Sequence, residues 1–261
     1  MTNIPQRRLE DQVQEIQEFL SEHLGKSAYR HVSKRLNQVM LQAYTDTMTG
    51  LLRADTMELA FDSFLKAIED SRLPYASFSF LMLDHDKFKE VNDSKEGYVG
   101  KDGVHYTGHP AGDALLKDSA AVIKDTLRYY DLILRGSEQT AQTTVEQTAQ
   151  TVAVRYGGDE FIIGIPFAGL DEPTSPQGFL PFPEMPPAAK IGERLRRGIK
   201  EATKGHTVSI GIANYPRTSS HADLKTLTTQ ADRALYAAKN DGGDCCRIWR
   251  PEYDIFTGPS Q

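Results

Sequence analysis

Cysteine, tryptophan and long apolar runs are all scarce in this 261-residue chain. The two cysteines, Cys245 and Cys246, are neighbours, so no disulfide framework can staple the fold. They read as small apolar residues of a last strand, not as a redox or metal pair. No apolar stretch reaches the roughly 20 residues that a membrane-spanning helix needs. The N-terminus, Met1 to Arg8, lacks the apolar centre of a secretory leader. Positive charge is short as well: 30 Lys and Arg stand against 36 Asp and Glu, a formal charge of −6. That balance excludes a protein that coats nucleic acid, yet it leaves room for a local basic pocket. No membrane insertion and a cytoplasmic location are the simplest expectations.

What is present divides the chain into a helical segment, 1–44, a large domain, 45–252, and a short tail, 253–261. In the first, Leu9, Val13, Ile16 and Leu20 recur at helical spacing, and Tyr29, Val32, Leu36, Val39 and Ala43 resume it after Gly25. Such a seam suits either a partner helix or packing on its own domain. Within the domain, helices are expected over Thr56–Asp70 and Asp113–Tyr130. Three stretches interrupt the pattern. Ser94–Thr107 is glycine-punctuated and reads as a mobile loop. Ser137–Thr151 is a near-tandem polar repeat. Pro166–Pro187 holds seven of the 13 prolines and reads as an extended connection, neither helix nor central strand.

The most informative run is Arg155-Tyr156-Gly157-Gly158-Asp159-Glu160-Phe161, between the apolar runs Thr151–Val154 and Ile162–Ile165. Two β-type runs around a Gly-Gly pair predict a tight two-residue hairpin, with glycine supplying positive φ. Two adjacent carboxylates just after such a turn are a poor choice for structure and a good one for a hard cation. Upstream, Tyr75–Leu83 predicts a buried strand that ends in Asp84-His85-Asp86-Lys87-Phe88-Lys89, then Glu90-Val91-Asn92-Asp93. Gly108-His109-Pro110-Ala111-Gly112-Asp113, Val208–Ala213 and Ala231–Lys239 follow in order.

These segments, together with Asp46-Thr47-Met48-Thr49-Gly50-Leu51, resemble the GGDEF family over roughly Asp46–Trp249. The resemblance implies an α+β, ferredoxin-like fold shared with nucleotidyl cyclases and polymerase palms: a mainly antiparallel sheet flanked by helices, here with an N-terminal helical extension. It implies a diguanylate cyclase, which condenses two GTP into cyclic di-GMP and two pyrophosphates. By the same resemblance Mg2+ or Mn2+ is held by Asp84, the backbone carbonyl of His85 and Asp159. Asp159 also takes the hydroxyl proton, with Glu160 in support. Asn92 and Asp113 would contact the guanine and His109 another part of the substrate, while Lys89 and Lys239 would meet the terminal phosphates. Arg128 and Asp131 match an inhibitory site for the product. The reaction needs two domains face to face, so a homodimer is expected. One departure stands out: the family's phosphate-contacting arginine after Lys239 is replaced by Gly243. That glycine motivates an alternative, a catalytically weak domain that binds GTP or cyclic di-GMP and acts through a protein partner.

Overall fold

A computed structural model of the chain describes residues 9–58, 61, 77–136, 151–167, 187–216 and 224–255. They fall in two compact units, 1–45 and 46–261. The first is a pair of helices, α1 (Leu9–His23) and α2 (Lys26–Tyr44), broken at Gly25. Of the apolar seam, Ile16 and Val32 are exposed, as is Phe19 beside it. The side chains of Leu9, Val13, Leu36 and Val39 lie outside the described residues.

The second unit is built on six strands in the order β1-β5-β6-β2-β7-β8: β1 (Leu52–Arg53), β2 (Ser77–His85), β5 (Val152–Arg155), β6 (Glu160–Phe167), β7 (Val208–Pro216) and β8 (Cys246–Ile248). The inner pairings are antiparallel, and only the short edge strands, β1 on β5 and β8 on β7, run parallel. The period of two sorts β2 between two cores. Leu81 and Leu83 join Phe161, Ile163, Ile210 and Ile212 under α4 (His109–Gly136) and α5 (Pro187–Ala202). Phe78, Phe80 and Met82 face the other way, with Ile162 and Ala213, under α6 (Leu224–Asn240). Because both faces are covered, the strands read as continuous apolar runs. Fully buried Phe161 ties the acidic turn to the first core, an anchor of about 1.5–3 kcal/mol.

The mainly antiparallel sheet flanked by helices is the expected α+β fold, with differences in detail. The expected mobile loop at Ser94–Thr107 folds back on itself as β3 (Tyr98–Val99) paired with β4 (His105–Tyr106). The second predicted helix, α4, starts a turn earlier, at His109, and runs on to Gly136, so Asp113 sits in its second turn and not at its N-terminus. The proline-rich stretch begins inside a central strand, since Pro166 lies opposite Phe78 on β6. The strand tolerates it because β5 stops opposite Gly164, leaving Pro166 a neighbour on one side only. Pro187 opens α5, where a missing N–H costs nothing. Residues 59–60, 62–76, 137–150 and 168–186, and with them most of the predicted Thr56–Asp70 helix and the polar repeat, lie outside the described residues.

Candidate active site at the ends of β2 and β6

Strand parity brings the acids together. Asp84 has the same parity as Phe80 and Met82, so its side chain emerges on the α6 side of the sheet. Glu160 is its direct partner across the antiparallel β2–β6 ladder. Residues so placed have Cβ atoms about 4.5–5.5 Å apart. Asp159 precedes Glu160 in the turn, close enough for its charge to bear on both. Asp84 is only 7% exposed. Burial pushes its carboxyl up to about 6, the Lys239 amine opposes that shift, and the charges of Asp159 and Glu160 add to it. Burial and then Asp159 likewise raise the Glu160 carboxyl. Lys239, in the last turn of α6, places its Nζ 2.8 Å from Asp84 Oδ1. The Lys239 charge therefore acts on both Asp84 and Glu160.

The turn itself differs from the sequence expectation. β5 ends at Arg155 and β6 begins at Glu160, so the connection has four residues, not two. Neither Gly157 nor Gly158 has positive φ. A Cβ at Gly157 would stand 2.6 Å from Glu160 Oε2, the movable end of that side chain, so a larger residue would displace the carboxylate. The backbone N–H of Tyr156 donates to the Glu160 carbonyl at 2.9 Å, and Arg155 Nη2 donates to the Gly158 carbonyl at 2.9 Å. Asp159 thus sits in a held turn, one residue before the strand.

His85 points to the opposite face, between Phe88 and Phe161. It is buried, and neither ring nitrogen has a hydrogen-bond partner. Burial pulls its pKa down to about 4, and the neighbouring His206 adds to that shift. The ring is neutral core filling, so only its backbone carbonyl remains for a cation.

Asp86 is fully occupied. It accepts from Thr207 Oγ1 at 2.7 Å, Ser209 Oγ at 2.6 Å and the Asp244 backbone N–H at 2.9 Å. This explains Gly243. Its φ is +77°, and a Cβ there would meet the Asp86 carboxyl at 2.9 Å. A side chain at that position is opposed by both backbone and space. Arg247 supplies no simple replacement, because it pairs with Asp241 at 2.7 Å.

On the other side of the corner, α3 (Phe88–Asp93) carries Lys89 and Asn92. Asn92 lies against α4, where a Cβ at Gly112 would meet its Oδ1 at 2.2 Å. Lys89, Asn92, His109 and Asp113 have no hydrogen-bond or ion-pair partner among the described residues, so their polar groups are free for a ligand. Arg128 and Asp131 lie within the α4 backbone, not at a helix-to-strand transition, and their side chains are outside the described residues.

Among the described residues no three His, Cys, Asp or Glu side chains form a ready-made metal cage. Magnesium asks for less, taking one or two carboxylates and filling its shell with water and phosphate. Acids crowded around a single amine suit such a dication.

A family model described as "Diguanylate cyclase, GGDEF domain" matches residues 43–140 and 131–245. The chain belongs to the GGDEF domain family. The match falls into two pieces that meet beside the polar repeat, the insertion that separates α4 from β5. Diguanylate cyclase A of Treponema denticola is 27% identical over 213 residues, which cover 79% of this chain and 44% of the relative. Diguanylate cyclase DosC of Escherichia coli is 27% identical over 209 residues, covering 78% of this chain and 35% of the relative. The chain spans less than half the length of these curated relatives. Among solved structures, the coiled coil and GGDEF domain of DgcB from Caulobacter crescentus, in complex with c-di-GMP, matches with TM-score 0.54 at 21% identity, covering 89% of this chain and 98% of that one. Diguanylate cyclase SiaD of Pseudomonas aeruginosa, in complex with its activator SiaC, matches with TM-score 0.55 at 21% identity, covering 92% and 74%. At that identity the likeness is one of fold. No helix among the described residues is long and apolar enough to cross a membrane.

Proposed function

We propose that this GGDEF domain is a diguanylate cyclase that joins two GTP molecules, held by two copies of the chain, into cyclic di-GMP. In each half-reaction a 3′ oxygen attacks the α-phosphorus of the other GTP. A new P–O bond forms and the bond to pyrophosphate breaks. Asp159 takes the hydroxyl proton, with Glu160 beside it. A bound Mg2+ or Mn2+, held by Asp84, Asp159 and the His85 carbonyl, would neutralise phosphate charge and polarise the attacking oxygen. Lys239 lies on Asp84 in the resting site and can turn to the terminal phosphates, which Lys89 approaches from α3. Asn92 and Asp113 read guanine, whose N1 and N2 donors need an acceptor; His109 flanks the substrate. Arg128 and Asp131, one helical turn apart, are the proposed grip for cyclic di-GMP as an inhibitor.

The observation that carries this reading is the placement of Asp84 opposite Glu160 with Asp159 at the adjoining turn. The dimer rests on the reaction's symmetry and on Ile16, Phe19 and Val32, which α1 and α2 leave exposed. Gly243 favours the second reading, a weak domain that binds nucleotide and signals through a partner. Purified protein incubated with GTP and Mg2+, with products identified by mass, separates the two. Specific activity should rise with protein concentration, and more steeply in a Phe19→Lys variant of lower oligomeric mass. No dinucleotide at any concentration would leave the binding reading.

A further inference from the structure

The insertion between Asp93 and Gly108 is held in place from several directions. Tyr98 Oη donates to Asp118 at 2.6 Å, and the Lys101 N–H donates to the same carboxylate at 2.8 Å. Lys204 Nζ reaches the Val99 carbonyl at 3.2 Å, and the Tyr98 ring meets His206 edge-on. The hairpin is thus pinned both to α4 and to the turn after α5. Between it and α4 lies an open-sided cleft of about 210 Å³, many times the roughly 10–15 Å³ that one water needs on the same measure. Asp102 and Tyr106 form its hairpin side, and Pro110, Asp113 and Lys117 its helix side.

The cleft's carboxylates are unequal. Asp118 is spent on Tyr98 and Lys101. Asp102 accepts from Tyr106 Oη at 2.6 Å and from the Val104 N–H at 2.9 Å. Asp113 alone has no partner among the described residues. The bond to Asp102 also fixes the Tyr106 ring, which leans on the small core of Val91, Tyr98, Ala111 and Leu115. One unspent acceptor and one immobilised aromatic ring on opposite walls match a planar ligand with N–H donors on its edge. A nucleobase has that chemistry.

We propose that the β3–β4 hairpin is the outer wall of the nucleotide site, with Tyr106 stacking on the guanine whose edge Asp113 reads. This rests on the reading above that Asn92 and Asp113 hold the base. Tyr106 is then a specificity-determining residue supplied by the insertion.

Calorimetric binding to the full chain tests it, using α,β-methylene-GTP, which cannot release pyrophosphate, and inorganic tripolyphosphate, which has no base. Tyr106→Ala should weaken the nucleotide about tenfold, as loss of a base–aromatic stack does, and leave tripolyphosphate unchanged. Tyr106→Phe keeps the ring and should bind nearly as wild type. The chain has one tryptophan, Trp249, so extra emission from a Tyr106→Trp protein is readable. The nucleotide should quench it and tripolyphosphate should not, a readout that survives if the alanine variant does not fold. Three results overturn the proposal. Equal nucleotide binding in wild type and Tyr106→Ala, with loss in Asp113→Asn, means the base is read without the hairpin. Equal binding in all three, with an unquenched tryptophan, means the base is not held at Asp113 at all. Equal weakening of nucleotide and tripolyphosphate by Tyr106→Ala, again without quenching, means the hairpin only supports the fold.

Discussion

Asp84 and Asp86 stand two residues apart in one motif and meet different surroundings. Asp86 receives two hydroxyls and a backbone N–H, and it holds β7 and the turn before β8 in place. Asp84 is buried beside two other acids, with one lysine for company. The difference separates a carboxylate used to build the site from one left poised by it. Strained electrostatics of that kind mark functional positions more often than structural ones.

The comparison is easiest to break by removing charge from the poised side. Asp159→Asn or Asp84→Asn should lower dinucleotide formation by at least on the order of 10²-fold, with circular dichroism and unfolding cooperativity kept. A variant that turns over normally would move the chemistry elsewhere. Asp86→Ala should show the reverse pattern. Stranding Thr207, Ser209 and the Asp244 N–H costs about 2–3 kcal/mol of stability, read by urea unfolding.

Proton competition sharpens the contrast further. The native carboxyl of Asp84 is raised above its unfolded value, so the folded state binds the extra proton between about pH 4 and 6. Its contribution to stability is present below that window and is lost as pH rises through it. At neutral pH ionised Asp84 therefore costs the fold something that the proposed cation would offset. Mn2+ affinity, followed by calorimetry, should fall by about tenfold per unit below pH 6. Asp84→Asn should flatten that slope.

The smallest effect concerns His85, on the far side of the same strand end. Its native pKa lies near 4, below the unfolded value of 6.5, so the unfolded chain binds the proton first. Stability drawn from this residue is full above about pH 6.5 and is lost as pH falls to 4. His85→Leu should remove that acid-side loss and add about 1–2 kcal/mol at pH 7, because it replaces two unpartnered ring nitrogens with apolar surface. Denaturant midpoints measured across pH check both statements.

Much of the fold was legible in the sequence because it rests on local periodicity. The apolar runs of β2 and β6 declare themselves, as do the acids at the strand ends, while β7 and α6 follow from the family resemblance. Less legible was whatever depends on distant pairing. The short last strand expected around the cysteines is present as β8, but its parallel pairing with β7, like that of two-residue β1 with β5, joins residues remote in sequence. The glycines of the first insertion suggested mobility, yet Gly97 and Gly103, both at positive φ, serve the bends of a hairpin. Its restraint comes from Asp118 on α4, which no local pattern announces. The Gly-Gly pair predicts a two-residue, positive-φ turn, whereas the connection has four residues and neither glycine has positive φ. The resemblance assigned Lys239 to phosphate. Its bond to Asp84, 155 positions away, became visible only when α6 was laid across the sheet.

The central claim, that Asp84 and Asp159 hold the cation while Asp86 holds the fold, is tested most directly by Mn2+ titration in the presence of α,β-methylene-GTP. Wild type and Asp86→Asn, the milder change at that position, should both bind. Asp84→Asn and Asp159→Asn should each lose most of the affinity. Retained binding in those two, or its loss in a folded Asp86→Asn alone, would contradict the account.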